Sequence, residues 1–338
     1  MAVRIAFLSF AHMHAYGYAG QLRTLPPGEI EIVGLWDRNA AHAKKMAKAL
    51  GVKAFASREK LLAEKPDGAI VCSENTRHEE DTLAAAKAGA GVLCEKPLAT
   101  TVASAQRMID GCKRAGVPLM TAFPCRYLGP IVRLKQMLDG GDFGEVLGVV
   151  STNHGRQPGG WFVDPKHSGG GAVMDHTVHV ADVLRWLLKQ EYTRVYCAAS
   201  DNRFILTRKA LGKKKIDDAG LLSLEMTGGT VVTLDCSWSR PAEYSTWGDV
   251  TLEIIGSKAV GRIDVFRQRL LLASKKSGKL AERWWGDESE GGLPGAFVKC
   301  LRDKTPPPVS GLDGLKATEV VEAAYRSVKT GQPVKLAV

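Results

Sequence analysis

Apolar runs and amphipathic stretches take turns along the first third of the chain. The runs cover 3–8, 30–36, 68–72 and 91–94, and helical patterns over 39–50, 57–64, 77–88 and 100–115 lie between or beside them. Strands alternating with helices predict right-handed βαβ units and a parallel sheet with both faces covered. Gly51, Gly89 and Gly116 stand just past three of the helical patterns, where a left-handed C-cap is wanted. The alternation stops near Pro124. From about residue 144 strand-like stretches follow one another at 145–152, 193–200, 221–226, 230–238, 249–255, 259–265 and 268–273, broken by one clear helix at 173–188. This second texture predicts an α+β domain with a largely antiparallel sheet. The segment 285–295 reads as a Gly- and acid-rich loop, Pro306, Pro307 and Pro308 exclude a helix there, and a last helix is expected over 313–329.

The length of 338 residues agrees with two domains at roughly 150 residues each. A hydrophobic fraction of 45% with 24% charged residues excludes wholesale disorder. The balance of 46 basic and 36 acidic residues leaves +10, but the basic clusters are short: Lys213, Lys214 and Lys215, then Lys275, Lys276 and Lys279. They read as a solvated basic face, so no nucleic-acid partner is expected. No apolar run approaches the roughly 20 residues of a membrane span. Residues 4–11 have a faint likeness to a signal peptide, yet lack its basic region and cleavage site, and a buried first strand accounts for them. Seven scattered cysteines contain no CxxC pair, which argues against a disulfide framework or zinc knuckle and for reduced thiols in a cytoplasmic protein.

Candidate chemistry clusters at four places. After the first run, where a glycine-rich GxGxxG turn would approach a pyrophosphate, the chain has Ser9, Phe10, Ala11, His12, Met13 and His14. Asp37 ends the second run, where an acid accepts hydrogen bonds from an adenosine ribose and repels a 2′-phosphate; it serves equally as a turn residue, and Arg38 beside it is able to pair with a 2′-phosphate. Glu95, Lys96 and Pro97 leave the fourth run at the sheet end where ligands bind, which makes Lys96 a candidate acid or base, or part of a surface turn. Gly169, Gly170 and Gly171 precede the helix at 173–188, on which Asp175, His179 and Asp182 share a face. A carboxylate four residues from an imidazole orients it as a base, and the glycines let another group approach the backbone closely. A metal set of His154, Asp175, His176 and His179 lacks HExxH spacing, so no metal is expected.

The chain resembles the glucose–fructose oxidoreductase / inositol dehydrogenase (Gfo/Idh/MocA) family in four ordered segments. They are GAIVCSENTRHEEDTLAAAKAGAGVLCEKPLATT at 68–101, SGGGAVMDHTVHVADVLRWL at 168–187, LEIIGSKAVGRID at 252–264 and DGLKATEVVEAAYRSVKTGQPVKL at 313–336. The resemblance implies an α/β fold: a Rossmann dinucleotide-binding domain over 1–124, then an α+β domain over 125–338. The second domain would carry a large, mostly antiparallel open sheet, and the last helix would pack back toward the first domain. It carries the family's catalytic lysine onto Lys96 and its aspartate and histidine onto Asp175 and His179. Asn75 and His78 correspond to the loop under the cofactor, Arg126 and Tyr127 to an Arg-aromatic pair, and Trp161, Asp164 and His176 to substrate-facing loops. Cofactor contacts are expected from Ser9, Phe10, Ala11, His12, Asp37, Arg38, Ser73, Glu74, Asn75, His78, Glu95, Lys96 and Arg126. Substrate contacts are expected from Lys96, Tyr127, Trp161, Asp175, His176 and His179. The chain departs from the family pattern at Ser9, Ala11 and His14, at Ser73 and Glu74 in place of Thr-Pro, at Pro124 and at Thr177.

The expected activity is an NAD(P)-dependent transfer of hydride between nicotinamide and a secondary alcohol or ketone of a sugar, cyclitol or related polyol. NAD is expected rather than NADP, and a homodimer or homotetramer is expected through the C-terminal sheet. Lys96 and His179 would share proton transfer, with Asp175 orienting His179. Two rivals are an NAD-dependent glycosidase working by oxidation and elimination, and a non-catalytic cofactor-binding regulator built on the glycine-poor loop.

Overall fold

The computed structural model describes residues 2–203, 215–267, 269–274, 276–284 and 292–337. Lys213, Lys214, Lys275 and the 285–291 part of the expected loop lie outside them. Contacts divide the chain into two compact units, one of Met1–Pro124 with Glu290–Thr318, the other of Cys125–Ser289 with Glu319–Val338.

The first unit is a doubly wound parallel sheet. Its strands β1 (Val3–Leu8), β2 (Ile30–Trp36), β3 (Gly68–Val71), β4 (Gly91–Glu95) and β5 (Leu119–Ala122) lie in the order β2-β1-β3-β4-β5. Every pairing is parallel, and β3, β4 and β5 are buried along their whole length. Those continuous apolar runs are what a strand covered on both faces needs. Helices α1 (His14–Arg23), α2 (Ala40–Leu50), α3 (Arg58–Leu62), α4 (His78–Lys87) and α5 (Val102–Ala115) connect the strands. Asn39, Ser57 and Thr101 cap three of them, and Gly51 and Gly116 end two in the left-handed conformation. The pattern did not announce α1, because Gly17 and Gly20 lower its helix propensity. It forms because Ala15, Tyr18, Ala19 and Leu22 share one buried face.

Residues 290–318, expected in the second domain, cluster with the first unit. Residues 292–295 of the expected loop belong instead to a helix, Gly292–Asp303, which ends before the proline block at Pro306. Leu301 and Phe297 of this helix press on Gly68, and Leu301 presses on Gly91, so closely that a Cβ at either glycine would collide. The final helix, Gly311–Thr330, begins in the first unit's share of the chain and ends in the second's.

The second unit holds a nine-stranded sheet. In chain order its strands are β6 (Val146–Arg156), β7 (Tyr192–Asp201), β8 (Asp217–Met226), β9 (Val231–Arg240), β10 (Gly248–Gly256), β11 (Ala259–Asp264), β12 (Arg269–Ser274), β13 (Lys279–Trp284) and β14 (Val334–Lys335). They lie in the order β13-β12-β11-β10-β6-β9-β8-β7-β14, antiparallel except for the parallel pair β6 and β9. Two further helices, α6 (Gly129–Asp139) and the long α8 (Ala172–Leu188), flank the short α7 (Pro165–Ser168). α6 escaped the sequence reading, and so did β13. Strands β8 and β9 alternate buried and exposed residues, so one sheet face meets α8 and the other is open. The open face carries Val150, Tyr196, Leu221 and Val231, all exposed. The seven cysteines are all buried and free, and burial pushes the thiols of Cys112 and Cys197 up to about 12.

On the sheet, His154 lies between Asp249 at 3.1 Å and Asp235 at 3.2 Å, with Arg240 bonded to Asp249 as well. Burial disfavours charge on the ring, but the two carboxylates outweigh it and push His154 from its ordinary 6.5 up to about 9. The stability this charge contributes is complete below 6.5 and is lost as pH rises through about 9. Urea unfolding followed from pH 7 to about 10 should therefore show a steeper loss of stability in the parent than in His154→Gln. Parallel pH profiles for the two proteins would remove the charged histidine from the fold's energetics.

Candidate functional site

Two side-chain constellations stand out, one in each unit. In the first unit the turn after β1 has no glycine, yet its first residue holds a backbone angle that glycine favours. Ser9 sits at φ +73°, the left-handed region that costs a non-glycine residue roughly 1–2 kcal/mol. Its side chain offsets that cost. Ser9 Oγ donates to Asp37 Oδ2 at 2.9 Å and accepts from Ala11 N at 3.1 Å. Asp37 Oδ2 also accepts from Phe10 N at 2.7 Å, and Oδ1 accepts from Asn39 N at 2.8 Å. Asp37 is thus both the strand-end acid and the anchor of the turn.

Arg38 pairs with Asp81 through two bonds of 2.9 and 3.0 Å, and its guanidinium lies 5.0 Å above the Trp36 ring. Farther along the carboxyl ends of the strands, the backbone N–H of His12 donates to Cys72 O, and Lys96 N donates to Glu95 Oε2 at 3.0 Å. Glu95 and Lys96 are both buried at the end of β4. Burial would raise the Glu95 carboxyl, but His12, His14 and Lys96 outweigh it and hold it well below the usual carboxylate range. His78 is fully buried, with its ring nitrogens 2.8 Å from Pro97 O and 3.1 Å from Ser73 O. It braces the exits of β3 and β4 from beneath. Asn75 is buried as well, and Glu74 is half-buried beside it. Ser73 Oγ is fully buried and has no hydrogen-bond partner. Such an atom at the carboxyl end of a strand fits a dinucleotide's hydroxyls or phosphates.

In the second unit the functional residues ride on α8. Of the three glycines before it, Gly169 ends α7 in the left-handed conformation, and the other two are explained by what they face. A Cβ on Gly170 would collide with the Tyr325 hydroxyl, and one on Gly171 with the Asp217 carbonyl. Asp217, wholly buried, accepts from Gly171 N at 3.0 Å, Val173 N at 2.7 Å and the Tyr325 hydroxyl at 3.0 Å. It thereby satisfies the first amides of α8, a cap that comes from β8. Burial raises its carboxyl, and these three donors oppose the rise.

Farther along α8, Asp175 Oδ2 accepts from Trp238 Nε1 at 3.2 Å and lies 3.3 Å from His176 Nε2. His176 Nδ1 faces Asn153 O at 2.9 Å, while Asn153 Nδ2 donates to His176 O. His179 is half-buried, with Nδ1 at 3.9 Å from Cys125 Sγ. Asp182, read as part of the same face, instead bonds Arg126 at 2.8 and 2.5 Å. Arg126, expected beside the cofactor, uses its guanidinium to tie the Pro124–Tyr127 turn to α8. Tyr127 is half-buried in that turn, and Trp161 stacks on Phe162 at 3.8 Å between ring centroids, just before Asp164 caps α7. Trp238, Asn153 and Asp217 carried no sequence signal, since each reaches α8 from a strand distant in the chain.

The histidines weighed as a metal set do not form one: His154 belongs to the sheet network and His176 to Asn153 and Asp175. Among the described residues, His12, His14 and Glu95 of the first unit form the group whose atoms lie close enough to surround an ion.

Asp217 and Gly171 make the start of α8 testable. Gly171→Ala should lower unfolding stability by more than about 2 kcal/mol, the range of a severe core clash, and Asp217→Ala by about 1–3 kcal/mol through the unsatisfied amides. A Gly171→Ala protein as stable as the parent in urea would show that the helix start tolerates displacement.

Residues 8–123 match the oxidoreductase family with an NAD-binding Rossmann fold, and residues 131–262 match the GFO/IDH/MocA C-terminal domain. The chain is 31% identical over 306 residues to the myo-inositol 2-dehydrogenase of Thermotoga maritima, covering 87% of each. It is 25% identical to the 1,5-anhydro-D-fructose reductase of Ensifer adhaerens, covering 90% of this chain and 91% of that one. Its fold superimposes on the aldose-aldose oxidoreductase of Caulobacter crescentus with a TM-score of 0.85 at 23% identity, over 99% of this chain and 100% of that one. With the strand-end crevice of the first unit and the α8 constellation of the second, these matches make the chain a member of the GFO/IDH/MocA family of NAD(P)-dependent oxidoreductases.

Proposed function

We propose that the protein oxidises a secondary alcohol of a cyclitol or related polyol, or reduces the matching ketone, with NAD as its cofactor. The observation that carries this reading is Lys96, buried at the carboxyl end of β4, where an open parallel sheet receives its ligand. Likeness to an inositol 2-dehydrogenase and an anhydrofructose reductase supports a polyhydroxylated substrate.

The first unit's residues suit the cofactor. Ser9 to Met13 would turn the chain beneath the diphosphate, Asp37 would take the adenosine ribose, and Ser73 Oγ would find its partner in the bound molecule. A bound nicotinamide supplies a two-electron acceptor or donor. The chain's own part is the proton. An alcohol becomes a carbonyl only as its hydroxyl proton leaves, so a positioned base is required. His179, whose side-chain type titrates near neutrality, is the proposed base, with Lys96 holding the hydroxyl and passing on its proton. Asp175 acts as a positioning residue: it fixes His176 and the first turns of α8, and through them the helix that carries His179. The exposed apolar residues Val150, Tyr196, Leu221 and Val231 support self-association through the open sheet face.

Preference for NAD rests on charge. Asp37 brings a carboxylate to the ribose end, while Arg38 is already balanced by Asp81, leaving it poorly suited to a 2′-phosphate. Calorimetry should give NAD at least about tenfold tighter than NADP, the scale of one lost charged hydrogen bond. Equal affinities would remove Asp37 from cofactor choice.

Lys96→Ala and His179→Ala should each lower turnover by about 10²–10⁴, the range of general acid–base catalysis, with NAD affinity changed much less. Turnover within about threefold of the parent in both variants would place the proton chemistry elsewhere. The substrate class is tested by screening cyclitols, polyols and aldoses for NADH production. Release of an aglycone without net NADH would favour oxidation–elimination, and tight NAD binding without any turnover a regulatory protein.

A further inference from the structure

The third glycine position of the cofactor turn is occupied by His14, and the structure gives that imidazole a specific setting. His14 Nδ1 lies 3.0 Å from Glu95 Oε1, and Glu95 is buried at the end of β4. The strand order places β3 between β1 and β4. The side chain that follows β1 therefore reaches past the end of β3, and the backbone N–H of His12 is bonded to Cys72 O at that same end. This is the crevice side of the sheet, at the point where the strand order reverses around β1.

The tautomers are fixed by the hydrogen bonds. Glu95 is an acceptor held in its ionised form, so His14 carries a proton on Nδ1 and leaves Nε2 as the ring's remaining polar atom, on a side chain 36% exposed. His12 differs: its Nδ1 accepts from His14 N at 3.2 Å, which puts the ring proton on Nε2, the atom facing Glu95 at 3.9 Å. A metal ion among His12, His14 and Glu95 would need that position deprotonated, so the cluster is better suited to hydrogen bonding than to coordination. His14 is also the first residue of α1, a ten-residue helix with no acidic residue in its first turn and no side-chain cap. The helix N-terminus adds positive potential at the same place.

We propose that His14, held by Glu95, contacts the diphosphate of the bound dinucleotide and supplies by side chain what a glycine turn supplies by close backbone approach. The inference rests on the dinucleotide reading above and adds a residue to it. Glycine at this position lets the helix and the cofactor pack closely. With Nδ1–H given to Glu95, Nε2 donates to a phosphate oxygen once the ring takes up a second proton from solvent as the anionic diphosphate binds, which exchanges that closeness for one charge-assisted hydrogen bond. Glu95 is then a positioning residue, because it sets the ring's tautomer and angle without reaching the ligand.

The test compares three probes on the full-length protein by calorimetry: NADH, ADP-ribose and AMP. His14→Ala should weaken NADH and ADP-ribose by the same factor, about tenfold or more for a charged hydrogen bond, and leave AMP, which lacks the diphosphate, within twofold. Glu95→Gln should give a smaller loss with the same pattern, since the amide keeps an acceptor for Nδ1 but loses the charge. Unfolding midpoints check each variant, and His14→Gln replaces His14→Ala if the latter is unfolded. Unchanged NADH affinity overturns the proposal. So does a loss confined to NADH, which would put His14 against the nicotinamide, and so does an equal loss for AMP, which would signal a damaged turn. Stoichiometric zinc binding to the parent that His14→Ala abolishes would overturn it in favour of coordination. A parent that binds none of the three probes defeats the dinucleotide reading itself, a result distinguishable from all of these.

Discussion

A carboxylate can be buried only where donors or cations surround it, because the cost of stripping its water exceeds what packing alone returns. Several buried acids impose that requirement on this chain, and four of them each draw separate segments into one place. Asp37 gathers the turn after β1 and the start of α2. Glu95 gathers that turn's histidines and the backbone of Lys96. Asp182 holds the turn at Arg126, and Asp217 holds the glycines before α8 together with Tyr325. The proposed catalytic residues Lys96 and His179 are each carried by a segment that one of these acids fixes. Losing such an acid would loosen a functional segment before it touched any apolar core.

The two textures of the sequence foretold the two kinds of sheet because period-2 and period-3.6 patterns are set by burial, which the residues themselves encode. The chain motifs around Lys96 and α8 were legible for the same reason: they are local. What escaped was non-local or against propensity. α1 carries two glycines, and Gly292–Asp303 begins with two glycines and a proline within its first four residues; both are helices made by packing. The parallel pairing of β6 with β9 depends on chain reversal, which leaves no local mark. Asp175 was legible as a residue that matters, but its bond from Trp238 was not, since Trp238 sits sixty-three positions away. The resemblance marked Arg126 as a cofactor contact, and only the fold adds its pairing with Asp182.

The glycine-poor turn is informative about how a fingerprint works. Ser9 holds the left-handed conformation that the first glycine usually supplies, stabilised by its own hydroxyl. The fingerprint is thus a set of backbone angles, and a serine with an acid beside it satisfies one of them. The later positions have been re-equipped rather than left bare, with imidazoles facing a carboxylate where small residues would leave space. A motif search that demands glycine would pass over this turn, although its first residue has the geometry.

The seven sulfurs carry a different consequence. Thiolate, not thiol, reacts with oxidants and alkylating reagents, and burial keeps every cysteine here away from solvent, with Cys112 and Cys197 pushed up to about 12. Folded molecules therefore offer very little nucleophilic sulfur at neutral pH. Modification would have to wait for a segment to open, so the pace of labelling would measure how often the chain breathes, and chemical ageing would be governed by those rare openings rather than by the strength of the oxidant.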